Sequence, residues 1–457
     1  MSKKLLVINA VGLTESLIND DCPNLKYYFE KNRQYLKPPI PAVTCTSQAT
    51  LLTGKSPQEH GVVANGWYFR DLAQVWLWRQ NNQLVQGEKI WESLRAKDES
   101  FSCAKMFWWY NMYSSADWSA TPRPLYRADG AKHPGSYTYP MGLNDDLESE
   151  LGTFPLFKFW GPMTSIESTK WISDSTIYVM KKNRPNLSLV YLPHLDYNLQ
   201  RLGPNDPAMA KDVRELDQCI GDLRQCADEL GYEVVILSEY GIQEVDTPIH
   251  INRELRKAGL ITVKMECGEE HFDAGASAAF AVADHQLAHV YVNDKSQLEK
   301  VKKILKGLPG ITEVCSGEER SKYDLDHERS GEIICLAEKN AWFTYYYWLD
   351  DKLAPDYARA VDIHRKPGYD PVELFMRKGG KLSAAKTLLK KKLGFRYLMD
   401  VIPLDATLVK GSHGVHPEHL ADGPLLIGDL NLGDEKVRDM RDFKSLVEEF
   451  FQVDKED

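Results

Sequence analysis

The sequence predicts an α/β protein in which a mainly parallel sheet is flanked by helices and carries a small inserted α+β cap. Two observations support this prediction. Apolar runs bounded by turn residues alternate with amphipathic segments over most of the chain, which is typical of the strands and helices of a parallel sheet. The 457 residues are 43% hydrophobic and 27% charged, which indicates a globular chain that buries a large core rather than a disordered one.

Individual strands and helices can be assigned from these patterns. The apolar runs that predict strands are Lys4–Ala10, Ala104–Trp109, Leu187–Leu192 and Glu233–Leu237. The amphipathic segments that predict helices are Asn24–Lys31, Ser47–Thr53, Lys89–Ala96, Thr169–Lys182 and Asp206–Leu230. Polar residues directly follow the last two strands. Because the carboxyl ends of strands line the ligand crevice of open α/β sheets, these polar residues mark the expected site.

The pattern changes near Ala279, where short strand-like runs replace the longer alternation. These apolar runs are 279–283, 287–292, 331–338 and 341–349. A helix over Ser296–Leu308 is predicted between the second and third runs, and the last two runs predict a hairpin.

After Asp350 the chain returns to segments that complete the main sheet. We therefore expect a core formed by residues 1–285 and 351–457, with residues 286–350 as the inserted α+β cap.

Charge and hydropathy exclude several classes of partner. The net charge of −10 disfavours nucleic acid and anionic membranes, because both select clustered Lys and Arg. The longest uncharged span, Pro38 to Gly54, is shorter than the roughly 20 apolar residues of a spanning helix, and prolines interrupt it. Asn9 breaks the apolar start, which we interpret as a strand rather than a leader. Eight cysteines without a C-x-x-C motif favour reduced thiols. We expect a cytoplasmic protein with no membrane span and no nucleic-acid partner.

The stretch "PAVTCTSQATLLTGKSPQEHG", residues 41–61, places hydroxyl or thiol side chains at all positions from Thr44 to Ser47. Two interpretations remain open from the spacing alone. The hydroxyls could cap the amino terminus of the following helix. Alternatively, the helix terminus could hold a phosphate while one hydroxyl attacks it.

This stretch, extended to "PAVTCTSQATLLTGKSPQEHGVVANGWY", resembles the nucleophile segment of the type I phosphodiesterase and nucleotide pyrophosphatase family of the alkaline phosphatase superfamily. In that family a nucleophilic Thr precedes a helix that runs through Thr-Gly to Pro-x-x-His-Gly, and Thr44, Gly54 and His60 stand at those places. The segments "LLVINAVGL", "LPHLDYNLQRLGP", "LSEYGI" and "GSHG" follow in the family's order. The resemblance implies an alkaline-phosphatase-like fold and hydrolysis of a phosphate or phosphonate ester, with Thr44 as the nucleophile.

The resemblance also implies divalent metal, with zinc as the expected ion. The family uses two such ions, one to activate the Thr and one to hold the phosphoryl oxygens. Asp196 and His413 match ligand positions, and Glu239 stands where the family has an Asp. These three residues are the predicted metal ligands.

Three other ligand positions depart from the family pattern. Val11 replaces an Asp, and Gln200 and Tyr240 each replace a His. The remaining donors are too few for two zinc sites of the usual kind, so fewer than two ions are expected. Either the site is rebuilt with other residues, or its catalytic function is lost or altered.

The substituted positions supply the predicted substrate contacts. Ser47 stands where the family has a phosphate-contacting Asn, and Asn65 fits a polar position after the nucleophile helix. The amide of Gln200 and the phenol of Tyr240 could bind substrate oxygens in place of metal.

His194 and His364 are the candidates for a rebuilt site. His194 lies two residues before Asp196, so on a continuing strand both side chains would point to the same side. The sequence thus favours a hydrolase of a small phosphorylated or phosphonate substrate. The alternative is a catalytically degenerate, metal-poor protein that binds a phosphorylated ligand.

Overall fold

The computed structural model describes residues 3–128, 131–395 and 398–452. It confirms the predicted α/β class. In these ranges the strands, in chain order, are β1 (Leu5–Ala10), β2 (Arg33–Lys37), β3 (Gly66–Phe69), β4 (Gln74–Leu77), β5 (Cys103–Met106), β6 (Trp118–Pro122), β7 (Leu125–Tyr126), β8 (Lys132–His133), β9 (Ser136–Tyr139), β10 (Leu187–Leu192), β11 (Glu233–Leu237), β12 (Gln243–Glu244), β13 (Thr247–Ile249), β14 (Thr262–Glu266), β15 (Glu269–Asp273), β16 (Ala279–Asp284), β17 (Leu287–Val292), β18 (Ile311–Ser316), β19 (Ile333–Ala337), β20 (Ala341–Phe343), β21 (Gly411–Ser412), β22 (Leu425–Gly428) and β23 (Val437–Asp439).

The helices of the same ranges are α1 (Pro23–Lys31), α2 (Thr44–Thr53), α3 (Pro57–His60), α4 (Ile90–Lys97), α5 (Gly142–Leu151), α6 (Ile166–Asn183), α7 (His194–Leu202), α8 (Met209–Leu230), α9 (Ile251–Lys257), α10 (Leu298–Lys306), α11 (Gly380–Lys392) and α12 (Phe443–Gln452). None of them, within the described part of the chain, is long and apolar enough to cross a membrane. All eight cysteines lie in the described ranges and are unpaired.

The main sheet has nine strands in the order β23-β2-β22-β11-β1-β10-β5-β6-β9. Its centre, from β11 to β6, is parallel, and its strands are buried on both faces. The register places Leu5 of β1 opposite Leu187 of β10 and Glu233 of β11. Two-sided burial requires continuous apolar runs, which is why these strands could be predicted from the sequence.

The predicted strand at Ala104–Trp109 ends earlier, at Met106. Phe107 and Tyr110 have φ values of 65° and 57°, in the left-handed region, so the chain turns out of the sheet there. This turn carries Trp109 toward the edge of the sheet where polar residues follow β10 and β11.

The second large sheet is antiparallel, with the order β16-β17-β19-β18. The runs at 279–283 and 287–292 form the antiparallel pair β16 and β17, and β16 lies before residue 286 but within this sheet. The hairpin predicted from 331–338 and 341–349 is wrong. β19 pairs with β17 and β18, whereas β20 pairs with β13. The chain leaves the sheet at Glu338, and the N–H of Phe343 then donates to the carbonyl of His285.

Each large sheet has its own buried cluster of apolar side chains. One cluster surrounds the main sheet and includes β1, β10 and β11 together with the buried faces of α6 and α8. The other surrounds the antiparallel sheet and includes residues of α2 and the aromatic run 341–348. The edge of the main sheet where its parallel strands end therefore faces a second packed unit.

Lys366, Asp370 and Glu373 form a buried ion cluster within the segment 366–373. Nζ of Lys366 lies 2.7 Å from an oxygen of Asp370 and 2.7 Å from an oxygen of Glu373, and Lys366 is 1% exposed. Burial pushes the pKa of Lys366 down, but the two carboxylates outweigh it and hold the pKa above its usual value. The lysine is therefore charged and holds two carboxylates in the interior.

We predict that Lys366→Met lowers the free energy of unfolding by about 3–5 kcal/mol, because it leaves two buried carboxylates without their cation. Urea denaturation followed by circular dichroism measures this change. The exposed Lys306 of α10 offers the matched control, since Lys306→Met should change stability by no more than about 0.5 kcal/mol. Equal stability of the two variants would contradict the ion cluster.

Candidate functional site

The candidate site is a cleft at the carboxyl edge of the main sheet. Helix α2 supplies Thr44, the segments after β10 and β11 supply Asp196 and Tyr240, and the turn between β16 and β17 supplies His285. The cleft has a volume of about 800 Å³, within the range of small-molecule sites.

Thr44 is the first residue of α2 and is 4% exposed. Helix α2 begins three residues before the predicted start at Ser47. The residue before it, Val43, makes no side-chain cap, so none of the hydroxyls serves as the expected N-cap. The Thr44 hydroxyl instead lies 3.1 Å from the hydroxyl of Tyr240.

Tyr240 connects Thr44 to Asp196. Its hydroxyl donates to Oδ1 of Asp196 at 3.1 Å, and the amide of Gln200 donates to Oδ2 at 2.7 Å. Oε1 of Gln200 in turn accepts from the hydroxyl of Tyr369 at 2.8 Å. Burial raises the pKa of Asp196 to about 7, although both hydrogen bonds oppose the shift.

Glu239 lies beneath this network and is fully buried. Its Oε1 accepts from Asn9 at 2.5 Å and from Gln48 at 2.6 Å, while its Oε2 is buried without a partner. Burial raises the pKa of Glu239 to about 8. Gln48 also accepts from the N–H of Trp109 at 2.7 Å, so one amide fixes both the carboxyl group and the turn after β5.

His413 completes the cluster between two aromatic rings. The Tyr240 ring stacks on it with centroids 3.5 Å apart and planes 7° apart, and the His285 ring lies 3.7 Å away. Its Nδ1 pairs with the carbonyl of Ala42 at 2.7 Å, while its Nε2 is buried without a partner. Burial lowers the pKa of His413 to about 3, so the ring is neutral.

A sequence comparison identifies the family of this chain. The sequence profile of the type I phosphodiesterase / nucleotide pyrophosphatase family matches residues 5–370. The chain belongs to this family.

Relatives and solved structures add detail to this assignment. An uncharacterized pyrophosphatase/phosphodiesterase of Schizosaccharomyces pombe is 24% identical over 253 residues, which are 52% of this chain and 44% of that protein. This chain therefore spans under half the length of that relative.

Two solved structures share the fold over nearly the whole chain, and each alignment covers 98% of this chain and 95% of the other. Murine ectonucleotide pyrophosphatase / phosphodiesterase 5 has a TM-score of 0.59 at 14% identity. Phosphonoacetate hydrolase from Sinorhizobium meliloti 1021, in complex with phosphonoacetate, has a TM-score of 0.63 at 14% identity. These similarities confirm the predicted alkaline-phosphatase-like fold.

The metal centre implied by the family can be tested against the donors around Thr44. A zinc site needs three or four imidazole, thiolate or carboxylate donors converging on one point. In the described ranges, no three such donors from the Thr44 cluster meet this condition within 4.8 Å. Tyr240 lies between Thr44 and Asp196, and both oxygens of Asp196 accept hydrogen bonds. The residues present therefore do not fit the family's two-metal centre.

His413 alone keeps the arrangement of a metal ligand. Metal-bound histidines usually give their second ring nitrogen to a carbonyl or carboxylate, as Nδ1 does here with Ala42. The Nε2 that would face an ion is free of protein partners. Asp196, Glu239 and His413 thus lie around Thr44, as the resemblance implied, but they do not form a shared ligand set.

The predicted substrate contacts Ser47 and Asn65 are committed to other groups. The hydroxyl of Ser47 donates to the carbonyl of Glu239 at 3.4 Å, and Ser47 is fully buried. Asn65 is 1% exposed; its Oδ1 accepts from the N–H of Cys45, and its amide donates to Asp284. Asn65 therefore supplies the hydrogen-bond acceptor for a backbone N–H in the first turn of α2. Tyr240, by contrast, lines the cleft, whereas Gln200 is buried and contacts the lining residues Asp196 and Tyr369.

On a continuing strand, His194 and Asp196 would point to the same side. In the structure they point to different sides. Helix α7 begins at His194, so residues two apart lie about 200° apart around the helix. Asp196 faces the cleft, whereas His194 faces α8, with its Nε2 3.2 Å from Glu215. His364 lines the outer cleft, and its Nδ1 lies 3.4 Å from the carbonyl of Leu77.

The wall of the cleft is mostly apolar and rich in aromatic side chains. Its aromatic residues include Trp78, Trp109, Trp160, Tyr197, Tyr240 and Tyr369. Its charged residues are two lysines, Lys132 and Lys158, and three acids, Glu167, Asp196 and Asp362. Among the described lining residues there is no arginine, and the three acids outnumber the two lysines.

Several site residues were absent from the sequence predictions. Asn9 and Gln48 hold Glu239, while His285 and Tyr369 stack on each other at 3.8 Å and close the network from the second sheet. Gln48, four residues after Thr44 in α2, could have been found from helical spacing. Tyr369 carried no sequence signal, since it lies in an irregular segment far from every motif.

We predict that Asn65→Ala lowers the free energy of unfolding by about 1–3 kcal/mol, because it leaves the N–H of Cys45 without its partner. It also removes the side-chain hydrogen bond to the buried Asp284, which keeps the bond from the backbone N–H at position 65. Urea denaturation measures the change. Asn205→Ala, at an exposed position, is the control and should be close to neutral. An equal effect at both positions would remove Asn65 from its assigned role.

Proposed function

We propose that this chain binds a small molecule with an aromatic or other apolar part in the cleft beside Thr44, and that it does not cut phosphate esters by the two-metal route of its family. One observation carries the proposal. The Tyr240 hydroxyl lies between Thr44 and Asp196, hydrogen-bonded to both, in the space where a metal would have to contact them.

The chemistry of the substitutions supports this conclusion. Val11 is fully buried and offers no donor, and Gln200 uses its amide to hold Asp196. Without metal, a Thr hydroxyl has no group that stabilises its alkoxide, because the neighbouring phenol is uncharged. Burial disfavours the charged forms of Asp196 and Glu239 and raises their pKa values to about 7 and about 8.

The lining of the cleft supports the class of ligand. Trp78 and Trp109 form a tilted pair with ring centroids 4.7 Å apart, and such rings bind planar apolar groups. The polar groups converge at one end, at Thr44 and Tyr240. A ligand with an aromatic body and one polar or phosphorylated end matches this layout, whereas a small, highly charged phosphate would meet a lining in which three described acids outnumber two lysines.

A second candidate is hydrolysis of a phosphate or phosphonate ester with Thr44 as the nucleophile and whatever metal the site retains. The observation that favours it is the hydroxyl of Thr44 at the wall of the cleft, linked through Tyr240 to Asp196. The free Nε2 of His413 also favours it.

Hydrolysis of bis(4-nitrophenyl) phosphate with added zinc separates the two candidates. The binding function predicts that wild type and Thr44→Ala release nitrophenol at the same background rate. The hydrolase predicts a loss of at least about 10³-fold in Thr44→Ala, because the nucleophile is removed. A loss of that size would overturn the first proposal.

Restoring the metal ligands of the family tests whether their substitution is the reason that the Thr44 site does not bind zinc. We predict that Val11→Asp, Gln200→His, Glu239→Asp and Tyr240→His together create zinc binding at Thr44 that the wild type lacks. The metal content is measured by elemental analysis of purified protein. Both proteins also carry His194→Ala, so that zinc held by His194 and the carboxylates beside it is not counted. No gain of zinc in a folded variant would contradict the account.

Binding of an aromatic phosphate tests the ligand class. We predict that 1-naphthyl phosphate quenches tryptophan fluorescence and that Trp109→Ala weakens its affinity about five- to tenfold, through lost stacking. Trp76→Ala, on β4 and outside the cleft lining, is the control. Inorganic phosphate should bind far more weakly than the naphthyl ester. Equal binding of both, or an equal effect of both variants, would contradict the assignment.

A further inference from the structure

A second cluster of ligand-type side chains lies between helices α7 and α8, on the side of α7 away from the cleft. His194 is the first residue of α7, and Asp212 and Glu215 lie three residues apart on α8. Residues at this spacing share one face of a helix, so both carboxylates face His194.

The distances within this cluster match those of a metal site. Nε2 of His194 lies 3.2 Å from an oxygen of Glu215 and 3.7 Å from Oδ1 of Asp212. One donor atom from each of the three residues lies within 4.8 Å of the other two. Donors bound tetrahedrally to zinc at its usual bond lengths stand about 3.4 Å apart. Small side-chain adjustments would therefore place all three donors on one ion.

Burial and neighbouring contacts hold the ligands in place. His194 and Asp212 are each 4% exposed, and Nδ1 of His194 is buried without a partner. Asn198 donates to Oδ2 of Asp212 at 2.5 Å and accepts from Arg201 at 2.8 Å. The hydrogen bond from Asn198 holds the Asp212 carboxylate in an orientation in which Oδ1 faces His194. Residues that contact metal ligands orient them in this way in known metal sites.

A hydrogen bond alone does not satisfy the cluster. The single N–H that a neutral imidazole can offer serves one carboxylate, yet two carboxylates face the ring. The nearest lysine, Lys211, lies 3.5 Å from Glu215 but its side chain is 70% exposed. The guanidinium of Arg201 is directed to Asn198 and to the carbonyl of Leu374. A divalent ion would neutralise both carboxylates at once.

We propose that His194, Asp212 and Glu215 bind one divalent cation, with zinc as the best match, that clamps α7 to α8. One imidazole and two carboxylates suit zinc, and the half-exposed edge at Glu215 leaves an entry path and room for a water ligand. Because α7 also carries Asp196 and Gln200, the clamp fixes the helix that forms one wall of the cleft. This site is independent of the function proposed for the cleft.

Isothermal titration of the chelator-treated full chain with zinc chloride tests the proposal, and visible absorption of bound Co²⁺ reports its coordination. We expect one ion per chain in the wild type. His194→Ala, Asp212→Asn and Glu215→Gln should each weaken zinc affinity by at least about tenfold and change the Co²⁺ spectrum. Glu229→Gln, on the exposed part of α8, is the control and should bind like the wild type.

Two further variants separate this site from the cleft. Asp196→Asn and His413→Ala should keep one zinc per chain. Glu215→Gln changes a half-exposed side chain, so its effect can be measured even if a variant at buried Asp212 fails to fold. No zinc binding by the wild type, or binding that is lost in Asp196→Asn but kept in Glu215→Gln, would overturn the proposal.

Discussion

The contact on which the rest of the site depends is the hydroxyl of Tyr240 between Thr44 and Asp196. In this family a Thr nucleophile is normally paired with metal-bound carboxylates and imidazoles, which balance charge by coordination. Here a phenol fills the same space, donates to the carboxyl group and covers His413 with its ring. Burial raises the pKa of Asp196 to about 7, so its negative charge is weakened, and lowers the pKa of His413 to about 3, so its ring is neutral.

The other substitutions complement this contact. Val11 packs in the core at the end of β1, and Gln200 joins Asp196 to Tyr369 of the opposite wall. Each change removes a metal donor and supplies a packing or hydrogen-bonding group in its place. Both oxygens of Asp196 are thereby hydrogen-bonded without an ion, whereas Oε2 of Glu239 and Nε2 of His413 are buried without a partner.

The sequence predicted the central strands well because burial on both faces demands apolar runs that are easy to detect. The family motifs also pointed to Thr44 and Asp196, which line the cleft, and to Glu239 and His413, which are buried outside its lining. The sequence-based predictions failed where the local pattern of residues does not determine which segments or side chains come into contact. The run at 341–349 is as apolar as a hairpin strand, but its pairing with β13 is decided by tertiary contacts. Likewise, the spacing of His194 and Asp196 is the same in a strand or a helix, yet only a helix turns them to opposite sides. Tyr369 and His285 come from distant segments, so no motif could join them to the site.

X-ray diffraction at the zinc absorption edge, on crystals grown with zinc, tests the central claim most directly. The account predicts no anomalous peak between Thr44 and Asp196, with the Tyr240 hydroxyl in contact with both. A peak about 2.0–2.2 Å from Oγ1 of Thr44 or from a carboxylate oxygen of Asp196, with the Tyr240 ring moved away from His413, would contradict it.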